Sequence, residues 1–157
     1  MRRVYIVCAA MLLACSSTSG YCDDWATAQD GSAAVVADGA RLNVVCDTDH
    51  GRALHPDSLG KILIFLKEPV AAWRKLESVE VRTRSDTGSQ SANPPSHGTA
   101  LSSTSLVLED DATWELSVMG AATKSFTLIA GGHARTFSAI NLRATVSPVL
   151  GRCGDHW

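Results

Sequence analysis

The chain has 157 residues, with 14 Lys and Arg against 16 Asp and Glu, a formal net charge of −2, and 45% apolar side chains. That length suits one domain with one core. Beyond the first residues no basic run exceeds a dipeptide and no apolar run approaches a membrane span, so neither a nucleic-acid footprint nor a transmembrane helix is expected.

Arg2 and Arg3 form a short positive start, followed by the apolar run Val4 to Leu13. The run is too short to cross a bilayer as a helix and reads as the core of a signal peptide over residues 1–14. Leu12-Leu13-Ala14-Cys15 resembles the bacterial lipobox, which implies cleavage before Cys15 and a lipid anchor in the membrane through that residue. Ordinary secretion, with cleavage after the small residues Ser17 to Gly20, is the alternative. Either way the chain is exported, and residues 15–25 form a tether to a domain at 26–157. Without the signal, twelve basic and sixteen acidic side chains remain, a net charge of −4.

"AAVVADGARLNVVC" places apolar residues on both sides of Asp38-Gly39, the pair suited to a type I′ turn, and predicts a hairpin. "KILIFL", Lys61 to Leu66, reads as a buried strand, and "LESVEVRTR", Leu76 to Arg84, as a half-exposed one. Between Ser85 and Ser105 lie seven serines, two glycines and Pro94-Pro95, which predicts a long mobile loop. "TSLVLE", Thr104 to Glu109, resumes strand character. "DDATWELSVMGAA" alternates through Ala112, Trp114, Leu116 and Val118, yet also carries the helical stripe Ala112, Leu116, Met119, so periodicity leaves strand and helix both open. "SFTLIA" and "HARTFSA" flank Gly131-Gly132 as a second hairpin. Leu142, Val146, Val149 and Leu150 then share one face of a C-terminal helix that Pro148 should shorten, kink or restart.

In an oxidising compartment Cys22, Cys46 and Cys153 remain after processing, enough for one pair and one spare. Cys46 ends the second strand of the first hairpin and Cys153 ends the last helix, whereas Cys22 lies in the tether. A disulfide joining Cys46 to Cys153 is therefore expected. No CxxC spacing points to redox chemistry. "CDTDHG" offers Asp47 and Asp49 as a fragment of a calcium loop without its distal Glu, and reads as a solvated turn. The five histidines show no ligand spacing, and the serines no nucleophile elbow, so no catalytic, metal or cofactor residues are assigned. Glu109, Asp110 and Asp111 read as helix-start acids. Of the four tryptophans, Trp25 and Trp114 read as core, and Trp73 in "VAAWRKL" as an exposed binding surface.

The early Trp25, Cys46, and the ending "FSAINLRATVSPVLGRC" with Phe137, Cys153 and Trp157 resemble two families of exported proteins. These are the VasI-like accessory lipoproteins of type VI secretion and the invasion-associated locus B proteins, and the likeness lies mainly in residues 104–157. The resemblance implies a mainly β fold, with antiparallel sheets in a β-sandwich-like arrangement and one or two short helices. It also implies a helix over 111–120, and it carries no catalytic residues. Taken together, these features predict a non-enzymatic envelope lipoprotein in the periplasm that binds another envelope or secretion-machinery protein, by a sheet edge or the 85–105 loop. The alternative is a cell-wall hydrolase or an inhibitor of one, which would need two carboxylates or a Ser-His pair facing one pocket.

Overall fold

A computed structural model describes residues 24–47 and 60–157. Cys15, Cys22, Asp49 and the signal and lipobox residues lie outside the described residues. Nine strands and two helices follow in chain order: β1 (Ala26–Thr27), β2 (Ala33–Ala37), β3 (Ala40–Cys46), β4 (Ile62–Lys67), β5 (Ser78–Ser85), β6 (Ser96–Ser102), β7 (Ser105–Leu108), α1 (Ala112–Gly120), β8 (Ser125–Ala130), β9 (His133–Ser138) and α2 (Leu142–Arg152). Every pairing is antiparallel, and the strands form one sheet in the order β1-β2-β3-β4-β7-β6-β5-β8-β9. The fold is thus mainly β with two short helices, one of them C-terminal. Its facing layers belong to a single sheet that curls until its first and last edges meet.

Local chemistry explains the strands. Asp38 and Gly39 both take positive φ, 49° and 78°, as the twisted two-residue turn requires, and β2 pairs with β3 in full register. Gly131 and Gly132 do the same between β8 and β9, at 56° and 84°. Along β5, Val79, Val81, Thr83 and Ser85 are buried while Ser78, Glu80, Arg82 and Arg84 face water, as a period of two dictates. The continuous run of β4 is central in the sheet and almost wholly buried.

Inward side chains of all nine strands but the short β1 share one core with both helices. Phe126 and Phe137 stack at 5.8 Å between ring centroids, and Trp25 tilts against Phe126 at 6.4 Å. Trp25 closes the seam between the sheet's edges. Its backbone N–H donates to Ile140 O (3.3 Å) and its indole N–H to Ser138 O (2.8 Å). The end of the expected tether is therefore core, because a buried indole finds both an aromatic neighbour and an acceptor there.

Strand direction sorts the connections into two ends. The β2–β3, β6–β7 and β8–β9 turns and the loop 68–77 lie at one, the turn end. Both helices and the loop 86–95 lie at the other, the helix end. There Cys46 and Cys153 form a disulfide that fastens the end of α2 to β3.

The serine-rich stretch departs from expectation, since most of its second half is β6. Small residues are what this strand needs. Ser96, Gly98 and Ala100 face inward, and a Cβ on Gly98 would stand 2.8 Å from Val107 O and 3.0 Å from a Leu106 methyl. The neighbouring β7 supplies most of the apolar bulk through Leu106 and Leu108, and β6 adds Ala100 to the core. Asn93–Pro94 in the remaining loop is a cis peptide. The C-terminal helix is short, as expected, and α2 continues through Pro148. Pro148 and Ala144, whose carbonyl loses its partner, both lie on the exposed side of the helix, where water can serve that carbonyl.

The loop after β5 is fixed by Asp86, whose carboxylate accepts from Thr123 N (2.8 Å), Thr123 Oγ1 (2.8 Å) and Lys124 N (2.9 Å). The Thr123 backbone N–H, with help from the other two donors, holds this carboxyl below its ordinary pKa. A depressed folded-state pKa stabilises the fold above the unfolded value and is lost as pH falls through the folded one. The stability gap between the parent and Asp86→Asn, from urea melts, is therefore expected to be widest near neutral pH and to shrink on acidification towards about pH 3. A gap that widened with acid would contradict this contact.

Candidate interaction surface

The tryptophans exchange the roles expected of them. Trp73 is buried, 7% exposed, and Trp114 is 56% exposed. Trp73 is drawn inward at the turn end, where its indole nitrogen packs on the β8–β9 turn close enough to lie 3.2 Å from a Cβ built on Gly131. Its N–H has no acceptor among the described residues. The loop around it is held by Ala72 N and Trp73 N, both donating to Ser103 O (2.7 and 3.2 Å). Trp73 is thus a plug of the core and not a binding surface.

Helix α1 explains Trp114. Ala112, Glu115, Leu116 and Met119 point inward, which leaves position 114 on the solvent flank. Glu115 is fully buried, and its carboxylate accepts from Ser91 Oγ (2.7 Å) and Ser96 Oγ (2.5 Å). Ser91 Oγ also accepts from Thr83 N (2.6 Å), so one side chain of α1 ties together β5, β6 and the loop 86–95. Sequence reasoning passed over Glu115. The signal was its place in the helical stripe beside Leu116. Sealed from solvent, this carboxylate can hold structure but cannot meet a substrate.

The acids before α1 serve as contacts. Asp110 pairs with Lys61 at 3.2 Å, and Asp111 occupies the N-cap position without a side-chain cap. Asp47 is buried at the end of β3 instead of sitting in a solvated turn. At the turn end, Glu68 and Arg135 both point inward and form a two-pronged ion pair, with Arg135 Nε and Nη2 donating at 2.9 and 2.7 Å to Glu68 Oε2. Hydrogen bonding to Glu68 raises the Arg135 pKa further above its ordinary value. Among the described residues no three His, Cys, Asp or Glu side chains stand close enough to share a metal ion, and no helix is long and apolar enough to cross a membrane.

At the helix end Trp157 lies across Gly120, its indole N–H donating to Ser147 Oγ (2.8 Å) and its ring 5.2 Å from the Arg143 guanidinium. Arg143 Nε donates in turn to Gly120 O (2.9 Å). These contacts lock α1 against α2, so Trp114 stands on a rigid support. The molecule so defined is a curled antiparallel β-sheet whose one end is plugged by two helices, the second tied to β3 by a disulfide. No family model, curated protein or solved structure matches the chain.

Proposed function

We propose that this is a non-enzymatic exported envelope protein, carried as a lipoprotein through Cys15, that binds another envelope or secretion-machinery protein through the solvent face of α1. The observation that carries the reading is Trp114, 56% exposed on a helix whose other side is locked by Glu115 and Trp157. A rigid exposed indole offers large contact area at little ordering cost, which is why tryptophan dominates binding hot spots. Glu115, whose carboxylate accepts from two serine hydroxyls, is sealed from solvent, which weighs against its use in the hydrolase alternative. The type VI secretion and periplasmic assignments rest on the lipobox and on the family resemblance.

A photo-crosslinking residue placed at Trp114 in living cells should give a discrete adduct, and one placed at the outward Arg82 should not. Identical adduct patterns at the two positions would remove the α1 face as the binding surface. In the same cells Cys15→Ser should shift the protein out of the membrane fraction, and an unchanged distribution would leave plain secretion.

A further inference from the structure

At the turn end the loop 68–77 closes with a tight turn that does not suit its sequence. Glu77 N donates to Arg74 O (3.0 Å), and the third residue of this turn, Leu76, has φ 65°. Glycine or asparagine normally fills such a position, because a larger side chain crowds its own backbone there. Leu76 is nevertheless held firmly. Its N–H donates to Ala100 O (2.7 Å), Ala100 N donates to Glu77 O (2.9 Å), and Arg74 N donates to a Glu77 carboxylate oxygen (2.8 Å). Its side chain is 76% exposed, the most exposed large apolar residue described, and Val70 at 64% is second.

We infer that this loop is a membrane-contacting tip, which seats Leu76 and Val70 at the edge of the apolar layer of an anionic lipid bilayer with Arg74 and Lys75 at the headgroup phosphates. Charge complementarity selects that occupant. Between Pro69 and Leu76 the chain carries Arg74 and Lys75 and no acidic residue, within a protein whose net charge is negative. Both side chains are exposed and neither forms an ion pair among the described residues. Of the acids at this end, Glu77 binds Arg74 N and Glu68 pairs with Arg135, while Asp38 stands exposed on the β2–β3 turn that packs against Pro69. An exposed loop in which two aliphatic residues stand on either side of two cations in the chain suits shallow insertion into an anionic interface. A protein hot spot would instead be expected to present an aromatic anchor, and the aromatic residue of this loop, Trp73, is turned inward. The inference stands apart from the Trp114 reading, since the tip is at the opposite end of the sheet.

The test is co-sedimentation of the secreted Cys15→Ser protein, which lacks any acyl group, with phosphatidylcholine vesicles with and without phosphatidylglycerol. Binding should require the anionic lipid and weaken as salt is raised. Leu76→Asn should lower partitioning about tenfold, and Arg74→Ser with Lys75→Ser should do the same. Leu76→Asn suits the left-handed backbone, so its melting temperature should equal or exceed the parent's and exclude misfolding as the cause. The assignment falls if the parent does not bind or if both variants bind like the parent. It also falls if binding depends on Leu76 but is equal on both vesicle types, since the tip would then be a plain apolar contact of the kind a protein pocket takes.

Discussion

Cys153→Ala should lower the melting temperature by on the order of 10–20 °C, the largest single-residue effect expected in this protein. The Cys46–Cys153 bond spans 107 residues and joins Cα atoms 5.6 Å apart, with Cys46 buried at the end of β3. In the chain-entropy model a loop of that length restrains the unfolded chain by about 4.7 kcal/mol, comparable with the whole stability of a small domain. Leu142, Val146, Val149 and Leu150 still pack α2 into the core when the bond is absent, so the variant should fold at low temperature. Cys22→Ala should leave the melting temperature unchanged. Calorimetry on the two variants decides the matter, and equal losses would mean that Cys22 shares in the bonding.

Arg135→Leu should cost about 3 kcal/mol, whereas Glu68→Leu combined with Arg135→Leu should cost much less. The Glu68 side chain is 1% exposed and that of Arg135 is 26%. Removing the guanidinium alone strands a carboxylate inside the turn end, but removing both charges leaves two apolar side chains, one of them beside its buried cross-strand partner Leu128. Partial access of water to Arg135 keeps the single-variant cost at the lower end of what a buried pair commands. Urea denaturation of the two variants measures the difference. A double variant no more stable than the single one would show that the ion pair, and not the avoidance of a lone charge, holds β4 to β9.

The two ends of the molecule differ in how far they were legible. At the helix end, the stripe Ala112, Leu116, Met119 already implied that a helix would leave Trp114 outside. Only the competing alternation through Trp114 hid it, and a periodicity of three or four residues cannot be told from one of two over so short a segment. The Cys46–Cys153 bond followed from the ends of two elements that were themselves readable. The turn end was opaque. Glu68 and Arg135 lie 67 positions apart, and nothing local to either announces the other. Trp73 sits in a loop between charged and small residues, so its burial depends on the β8–β9 turn that arrives across it.

What the sequence determined by itself was local: the two hairpin turns at Asp38-Gly39 and Gly131-Gly132, the alternating face of β5, the apolar run of β4 and the buried stripe of α2. Turn chemistry and side-chain periodicity act over a few residues and are written there. Tertiary structure alone decided the order in which β4 pairs with β7 and β5 with β8, the existence of β6 in a serine-rich segment, and the choice of Trp114 over Trp73 for solvent. Each of these depends on what lies across the interface. A Gly98 is a poor strand residue until Val107 and Leu106 crowd against it, and an indole becomes core only where the rest of the sheet leaves room for it.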